Sequence, residues 1–356
     1  MEKRRAVRYE ASWDPNLEIR IWEDKAEALT ALENDRTRWK IFTDGSGYKK
    51  HVGAAAILYE EREEKRALRY RLGKEEHHEV YEGECIGMIL GLHLAAVQNT
   101  GTEELSIWAD STAAITATNS DKTGPSHYIL DMFHERLRDL RANQPDLRVT
   151  ISWVPGHLGI DGNERADQEA KRAAETRSSR RAELPLCLRK PLPHSQSAAI
   201  RTFRNRLEKH HDKLWRKSPR YTAFQRIDPG EATTVSRRYW KLARWLPRPL
   251  LSLLTQLRTG HIPLQKHLNR IGKADTPTCP CCRNETETVR HYLFECPAHR
   301  RAREKLQWEL SNQQWGLGPM LTSRKALPAL FRFINTTRRF RHIYGELPEL
   351  REDEDE

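Results

Sequence analysis

The sequence predicts an α/β protein whose first half folds as a mixed five-stranded sheet with flanking helices. Alternating apolar patterns typical of strands precede a long helical pattern, and four acidic residues fall at the ends of predicted elements or on helices that pack on a sheet. A cluster of cysteine and histidine lies nearer the C-terminus. We expect a basic helical region after the sheet, and then a small zinc-binding-like module.

The predicted elements follow one another as strands with intervening helices. Strands are predicted at residues 39–43, 52–59, 67–72, 105–109 and 148–154, and helices at 79–97, from 111, at 127–141 and from 163. Asn163 is predicted as the N-cap of the last helix. Glycines at 83, 87 and 91 recur along the first long helix. Their spacing of four favours close packing of this helix on the sheet.

The domain organisation is predicted from changes in pattern and charge. We expect a charged arm at 1–36, the α/β domain at 37–177, a basic helical linker region at 178–258, a Cys/His module at 259–310, and a C-terminal helix with an acidic tail at 311–356.

Composition narrows the class of protein. Hydrophobic residues make up 37% and charged residues 31% of the 356 residues, and the mean hydropathy is −0.81. No apolar run reaches the roughly 18 residues of a membrane span. The basic N-terminus is not followed by the apolar core of a secretory signal. We therefore expect an intracellular protein, nuclear or cytoplasmic, that is neither secreted nor bound to a membrane.

Positive charge is concentrated in one stretch. Residues 171–250 contain 21 Lys and Arg against 6 Asp and Glu, and seven aromatic residues are interleaved with them. Cations combined with stacking aromatics are typical of grooves that bind nucleic acid. The alternative is an ordinary basic helical linker with a few core aromatics.

Four carboxylates stand at positions that suggest a shared site. Asp44 and Asp110 each end a predicted strand, Glu84 lies on the first long helix, and Asp167 lies in the first turns of the last helix. Converging carboxylates repel one another unless a cation neutralises them. Hard oxygen ligands select Mg²⁺ or Mn²⁺, and two such ions activate water for phosphodiester hydrolysis. The alternative for each acid alone is structural: a turn former, a solvated helix residue or a helix-dipole partner.

His157 precedes the last of these acids on a loop flanked by glycines, within the run WVPGHLGIDGNERAD. It would lie at the rim of the carboxylate site, where it could transfer a proton or help the product to leave. The alternative is a surface loop that leads into a capped helix.

The cysteines indicate a metal site rather than disulfides. The spacing Cys279-x2-Cys282-x8-His291-x4-Cys296 supplies three thiolates and one imidazole, a complete tetrahedral set for one structural Zn²⁺. Cys281 offers an alternative spacing and His299 a weaker substitute ligand. The remaining alternative is a group of cysteines scattered in a small core.

Four segments together carry a resemblance to a known family. TDGSG at 43–47, EGECIGMILGL at 82–92, WADSTAAI at 108–115 and WVPGHLGIDGNERAD at 153–167 resemble the successive motifs of type 1 ribonuclease H. The resemblance implies a ribonuclease H-like fold that cuts the RNA strand of RNA/DNA hybrids. It also implies that Asp44, Glu84, Asp110 and Asp167 hold two Mg²⁺ ions and that His157 assists turnover.

The match departs from the family pattern around the second acid. Gly83 and Cys85 flank Glu84, where the family usually has Ala and Leu. Glu82 is therefore a competing ligand, although helical phase favours Glu84. The segment at 119–128, where some members carry a basic, Trp-rich protrusion, is short here, so we expect the basic stretch 171–250 to supply hybrid affinity.

The C-terminal half resembles a second family. The Cys/His block, with LRTGHIPLQKHLNRIG before it, resembles the C-terminal region of non-LTR (LINE-like) retrotransposon polyproteins, where it follows a ribonuclease H domain and a reverse transcriptase. The chain is expected to be the C-terminal portion of such a polyprotein, with the parent element's reverse transcriptase as a partner. The alternative function is a catalytically silent nucleic-acid-binding remnant.

Overall fold

The structure is a computed structural model that describes residues 1–3, 7–10, 13–98, 101–310, 312 and 314–350. The chain divides into two compact units, Met1–Asn205 and Arg206–Glu356. The five-part division expected from the sequence stays a prediction. The expected acidic tail at 351–356 lies outside the described residues.

A mixed sheet with helices on both faces forms the first unit. Its elements are β1 (Glu18–Arg20), α1 (Lys25–Asn34), β2 (Trp39–Tyr48), β3 (His51–Glu60), β4 (Glu63–Lys74), α2 (Val80–Gln98), β5 (Glu104–Ala109), α3 (Thr112–Thr118), α4 (His127–Asn143), β6 (Arg148–Trp153) and α5 (Asp161–Glu175). The strand order is β1-β6-β5-β2-β3-β4. Strands β1, β6, β5 and β2 are parallel, whereas β3 and β4 are antiparallel to their neighbours.

The sheet contains six strands among the described residues, one more than the sequence predicts. The additional strand β1 comes from the stretch expected to be a charged arm, and it pairs in parallel with β6. Three residues are too few for an alternating pattern to be visible, so only the pairing with β6 defines this strand. Nearby, the Trp22 ring stacks on Trp108 with centroids 6.1 Å apart.

Helix α2 packs on β2 and β3 with α4 behind it, and its glycines lie against the sheet. A Cβ added at Gly83 would lie 2.9 Å from the carbonyl oxygen of Gly53, and one at Gly87 would lie 3.1 Å from that of Ala55. The predicted close packing of this stripe is confirmed. By length and composition alone, α2 could cross a membrane. However, 72% of an 18-residue apolar stretch of this helix is buried within the structure. Its apolar character follows from its place in the core.

Helix α5 covers the opposite face of the sheet, where it packs across β2, β3 and β4. Side chains alternate between the two faces as the strand period requires. Ile41 belongs to the core beneath α2, and Phe42 belongs to a smaller core with Trp108 and Ala166 of α5. This sandwich fixes α2 and α5 on opposite sides of β2.

Helices form most of the second unit. After α6 (Gln196–Lys217), which contains the boundary between the units, come α7 (Tyr221–Gln225), α8 (Ala232–Trp245), α9 (Arg248–Thr259), α10 (Gln265–Arg270), α11 (Arg300–Glu309), α12 (Leu317–Thr322), α13 (Leu327–Thr337) and α14 (Arg341–Tyr344). A single hydrophobic core joins leucines of α9 to Tyr292 of the Cys/His segment and to Phe333 of α13. The Cys/His segment therefore shares its core with the helices before and after it.

Two helix predictions for this half differ from the structure. The sequence predicts one helical stretch at 232–258, but α8 ends at Trp245 and α9 begins at Arg248. Leu246 precedes a proline and is extended, and Pro247 occupies the N-cap position of α9. One helix is expected after the Cys/His cluster, whereas the described residues form four, α11 to α14. Breaks in the backbone divide this stretch: Gly316 precedes α12, Ser323 follows it with an extended backbone, and Arg338 ends α13 in a left-handed conformation.

Candidate active site and metal centre

Asp44 and Asp110 lie on neighbouring parallel strands at the same end of the sheet. Thr43 pairs with Ala109, the last residue of β5, and each aspartate follows directly. The sequence predicts that Asp44 ends its strand, but β2 continues to Tyr48. The continuation is held by antiparallel pairing with β3, where Asp44 lies opposite Ala55. The carboxylate therefore projects from a rigid strand rather than from a turn.

Glu84 reaches the same place from α2. A Cβ added at Gly45 would lie 2.2 Å from the backbone nitrogen of Glu84, so the helix rests directly on β2 at this point. One carboxylate oxygen each from Asp44, Glu84 and Asp110 lies within 4.8 Å of the other two. The structure thus brings together three of the four predicted acids.

The electrostatics of this cluster favour a bound cation. Burial, together with the charges of Asp110 and Asp167, raises the pKa of Asp44 to about 8. Burial and the charge of Asp44 raise the pKa of Glu84 well above its ordinary value, and burial raises the pKa of Asp110. Asp44 Oδ2 and Glu84 Oε2 are buried without a hydrogen-bond partner among the described residues. Carboxylate oxygens without a protein partner are ligands that Mg²⁺ or Mn²⁺ prefers.

Asp167 flanks the cluster from α5. Its Oδ2 accepts a hydrogen bond from Lys171 Nζ at 2.6 Å, and a second group of ligand atoms, from His157, Glu164 and Asp167, lies within 4.8 Å of one another. Repulsion from Asp167 contributes to the raised pKa of Asp44. The fourth predicted acid is therefore a close neighbour of the other three, but it is held by an ammonium group.

His157 is exposed on the loop between β6 and α5, with a left-handed backbone at φ 59°. The preceding residue is Gly156, where a Cβ would lie 2.6 Å from Asp110 Oδ2. Burial raises the pKa of Asp110, and the nearby His157 offsets part of that rise. The imidazole therefore stands at the open side of the carboxylate cluster.

The helix that carries Asp167 begins earlier than the sequence predicts. Helix α5 starts at Asp161 with Ile160 at the N-cap position, and Asn163 is a buried residue of the first turn. The prediction that Asn163 caps the helix is wrong. Ile160 packs against the core around Phe42, and this burial places the start of the helix. Asp161 and Glu164 supply the negative charge that a helix N-terminus favours.

Glu82, the competing acid on α2, is held in a different environment. Its side chain is buried and accepts hydrogen bonds from the backbone nitrogen of Glu79 at 2.9 Å and from Ser126 Oγ at 3.0 Å. His78 Nδ1 lies 3.2 Å from Oε2 of the same Glu82 carboxylate. Polar groups of the protein therefore already occupy the carboxylate oxygens of Glu82. The acid of α2 that joins the cluster is Glu84.

The four predicted zinc ligands of the second unit come together. The ligand atoms of Cys279, Cys282, His291 and Cys296 all lie within 4.8 Å of one another. Cys279 Sγ and Cys296 Sγ are 3.8 Å apart, and Cys282 Sγ lies 3.5 Å from His291 Nε2. Zn–S bonds of about 2.3 Å in a tetrahedron place sulfur atoms about 3.8 Å apart. The residues present therefore fit one zinc ion.

The surroundings of this cluster support a structural role. Backbone amides of Glu285 and Asn284 lower the pKa of Cys282 to about 6, which favours the thiolate that binds zinc. Cys279 Sγ lies 3.8 Å from Glu287 Oε1, and Glu287 is paired twice with Arg339 at 2.7 Å. The alternatives considered from spacing, Cys281 and His299, lie outside the four-residue cluster.

Two known families match the chain, one within each compact unit. Residues 36–175 match the model of the RNase H family. They are a ribonuclease H domain. Residues 223–302 match the family described as zinc-binding in reverse transcriptase. This order is consistent with a retrotransposon polyprotein that carries ribonuclease H and a Cys/His module.

Several solved structures are similar to the ribonuclease H domain. The N-terminal RNase H domain of a Mycobacterium tuberculosis protein has 21% identity and a TM-score of 0.31, with 39% of this chain and 99% of that chain covered. RNase H1 from Halobacterium salinarum has 18% identity and a TM-score of 0.30, with 39% and 98% covered. The protease-reverse transcriptase of prototype foamy virus has 17% identity and a TM-score of 0.30, with 39% and 21% covered. No curated protein matches the chain.

Sequence reasoning missed three residues around these two sites. Lys171 and Glu164 lie one helical turn after and before Asp167, so the spacing of side chains along α5 was a usable signal. Glu287 lies between the zinc ligands in sequence, but its pairing with Arg339 joins residues 52 positions apart. No local pattern would reveal that contact.

Proposed function

We propose that the ribonuclease H domain is a metal-dependent endonuclease that hydrolyses the RNA strand of RNA/DNA hybrids. The observation that carries this proposal is the convergence of Asp44, Glu84 and Asp110, with two of their buried oxygens unpaired. A cluster of this kind is costly for a fold that does not use it, since each buried charge must be compensated. The family match to ribonuclease H supports the substrate class.

The carboxylates and His157 have different proposed roles. Asp44, Glu84 and Asp110 would hold two Mg²⁺ or Mn²⁺ ions, and Asp167 would be the fourth ligand once it is free of Lys171. Such ions supply an activated water and stabilise the leaving oxygen in phosphodiester hydrolysis. His157, exposed beside Asp110, takes or returns a proton as the product leaves. Recognition of the hybrid rests on its 2′-hydroxyls and backbone rather than on its base sequence.

We further propose that the Cys/His cluster holds one structural Zn²⁺. Four protein ligands leave no open position for a substrate or water. The zinc-binding family match connects this half of the chain to reverse transcriptases. The parent element's reverse transcriptase is accordingly the proposed protein partner, and the hybrid that it produces is the proposed substrate.

A catalytically silent, nucleic-acid-binding remnant is the second candidate, and one contact favours it. Lys171 Nζ lies 2.6 Å from Asp167 Oδ2, so a protein cation occupies one oxygen of a predicted metal ligand. If that pair persists in the presence of Mg²⁺, the site lacks one of its four acids.

Cleavage by the purified full chain separates the two functions. Labelled RNA is supplied as an RNA/DNA hybrid, as a single strand and as an RNA duplex, in Mg²⁺ and in Ca²⁺. We expect cleavage of RNA only in the hybrid and only with Mg²⁺. Withholding Mg²⁺ is preferable to EDTA, because a chelator would also remove zinc.

Two substitutions control for a contaminating nuclease. Asp44→Asn and Glu84→Gln keep the size of each side chain but remove its charge, so both should reduce hybrid cleavage to background. An equally folded wild-type chain that leaves the hybrid intact would rule out the nuclease and leave the remnant.

A further inference from the structure

Two cavities of the second unit share a wall formed by Phe224, Arg258 and Thr259. The smaller has a volume of about 420 Å³ and is lined by aromatic and apolar side chains; we call it the base cavity. The larger has a volume of about 690 Å³ and is lined by several cations; we call it the phosphate groove. Neither contains a residue of the carboxylate cluster or a zinc ligand.

The base cavity has walls suited to a flat ring. The Trp215 and Phe224 rings meet edge to face, with centroids 5.5 Å apart. The Arg258 guanidinium lies 5.4 Å from the Phe224 centroid and 5.6 Å from that of Tyr239, which fixes both rings. Trp215 Nε1 is buried without a hydrogen-bond partner among the described residues. A ligand with an aromatic face and a hydrogen-bond acceptor would satisfy both features.

The phosphate groove carries positive charge that the protein does not neutralise. Among the described residues, no carboxylate lies within ion-pair distance of Arg220, Lys266 or Arg270, all exposed along the groove. The acid in its lining, Glu287, is already paired with Arg339 at 2.7 Å. An anion with several charges would therefore meet unpaired cations here.

We propose that the second unit binds single-stranded nucleic acid, with one unstacked base in the base cavity and the neighbouring phosphates in the phosphate groove. An aromatic pocket beside a cationic groove is the combination that recognises a single strand, since each base offers a face for stacking and each phosphate a charge. A duplex is excluded from this mode, because its bases are stacked and paired. The site is independent of hybrid hydrolysis and uses none of its residues.

Binding to fluorescent oligonucleotides tests the site directly. The full chain with Asp44→Asn, which prevents hydrolysis, is titrated with single-stranded RNA, single-stranded DNA and RNA duplex, each containing 2-aminopurine. We expect both single strands to bind at least about tenfold more tightly than the duplex, and the 2-aminopurine fluorescence to fall as the base stacks on the aromatic rings. Duplex binding as tight as that of the single strands would overturn the proposal.

Three variants assign the binding to the two cavities. Ser236→Trp fills the base cavity from an exposed position and Trp215→Leu removes a wall; each should weaken single-strand binding by about tenfold and abolish the fluorescence change. Lys266→Ala with Arg270→Ala should reduce the slope of log affinity against log salt by about 2.

The matched control is Arg301→Ala with Lys305→Ala, which removes two exposed cations of α11 outside the groove. We expect a smaller change in affinity and an unaltered fluorescence response. If Trp215→Leu fails to fold, Ser236→Trp still decides the matter. Affinities unchanged by Ser236→Trp and by the Lys266 and Arg270 pair would place binding elsewhere and refute the site. A wild-type chain that does not cleave the hybrid would refute the proposed nuclease but not this binding.

Discussion

Lys171 Nζ donates a hydrogen bond to Asp167 Oδ2 over 2.6 Å, one turn apart on α5. The pairing raises the pKa of Lys171. Burial and the neighbouring carboxylates raise the pKa of Asp44, and the charge of Lys171 offsets part of that rise. The ammonium group thus stabilises the carboxylates while no cation is bound, and it competes with a metal ion for Asp167.

Replacing Lys171 should therefore strengthen metal binding. In Lys171→Met, Asp167 no longer has a competing partner, and we expect the half-saturating Mg²⁺ concentration for hybrid cleavage to fall about twofold, which corresponds to a helix ion pair of about 0.4 kcal/mol. Arg172→Met is the control, because Arg172 lies on the same helix but is near Glu169. An increase in the Mg²⁺ requirement of Lys171→Met would contradict the competition.

The carboxylate cluster should make the Mg²⁺-free domain less stable as pH rises. The pKa of Asp44 is raised to about 8, above its ordinary value near 4 in the unfolded chain. Its contribution to stability is therefore fully present below about pH 4 and is lost as pH rises through 8. Thermal unfolding across this range, with and without Mg²⁺, measures the loss, which Mg²⁺ should reverse because it binds the charged form.

Asp44→Asn removes the acid responsible for this behaviour. We expect the variant to be more stable than the wild type at pH 8 by about 1–2 kcal/mol when Mg²⁺ is withheld. Asp121→Asn, at an exposed position, is the control and should leave the pH dependence unchanged. A wild-type domain whose stability rises from pH 4 to 8 would show that the cluster is already compensated.

Glu82 and Glu84 should respond in opposite ways to the same substitution. Glu84→Gln should abolish hybrid cleavage without destabilising the fold, since Glu84 Oε2 has no hydrogen-bond partner and the amide oxygen of Gln can still accept from the Gly45 backbone. Glu82→Gln should lower the free energy of unfolding by about 1–3 kcal/mol, because its buried oxygens accept several hydrogen bonds. Cleavage per folded molecule should survive in Glu82→Gln. Its selective loss there would exchange the roles of the two acids.

Metal analysis of the second unit should give one zinc per chain. Cys282→Ser should remove the zinc and lower the thermal stability of this unit. The reason is that the free energy of zinc binding contributes to the free energy of folding. Cys281→Ser supplies a matched control, since this neighbouring thiol is exposed and outside the cluster. Equal zinc content in the two variants would show that the ligand set is wrong.

His157 should affect turnover more than binding. We expect His157→Ala to reduce kcat on hybrid by about 10²-fold, within the range for a general acid or base, with little change in KM. Leu158→Ala, which alters another exposed residue of the same loop, should leave both constants unchanged. A His157→Ala effect confined to KM would instead indicate a role in holding the substrate.

The sequence is sufficient for the elements whose patterns are local. Strands β2 to β6 and helices α2 and α4 have periods long enough to be recognised, and the spacing of the cysteines and His291 is a local signal too. Strand β1 could not be predicted, because its three residues become a strand only by pairing with β6. The start of α5 depends on tertiary contacts too, since partly buried Ile160 packs against the core at the N-cap position and Asn163 is buried in the first turn.

The arrangement of the site required the folded chain. That Asp44 and Asp110 are neighbours follows from the strand order, which places β5 beside β2. Helical phase favours Glu84 over Glu82, but the contact of α2 with Gly45, which brings Glu84 to the cluster, is not specified by residue types alone.

Helix α2 also determines how mutations in related chains should be interpreted. Glycines of this helix lie against the sheet and most of its side chains are buried, so natural selection for folding alone would preserve it, including the surroundings of Glu84. Retention of α2 is therefore weak evidence that a copy still cuts RNA. His157 lies on an exposed loop, where a substitution would disturb the fold less. Substitutions at His157 would therefore appear in inactive copies before substitutions in α2.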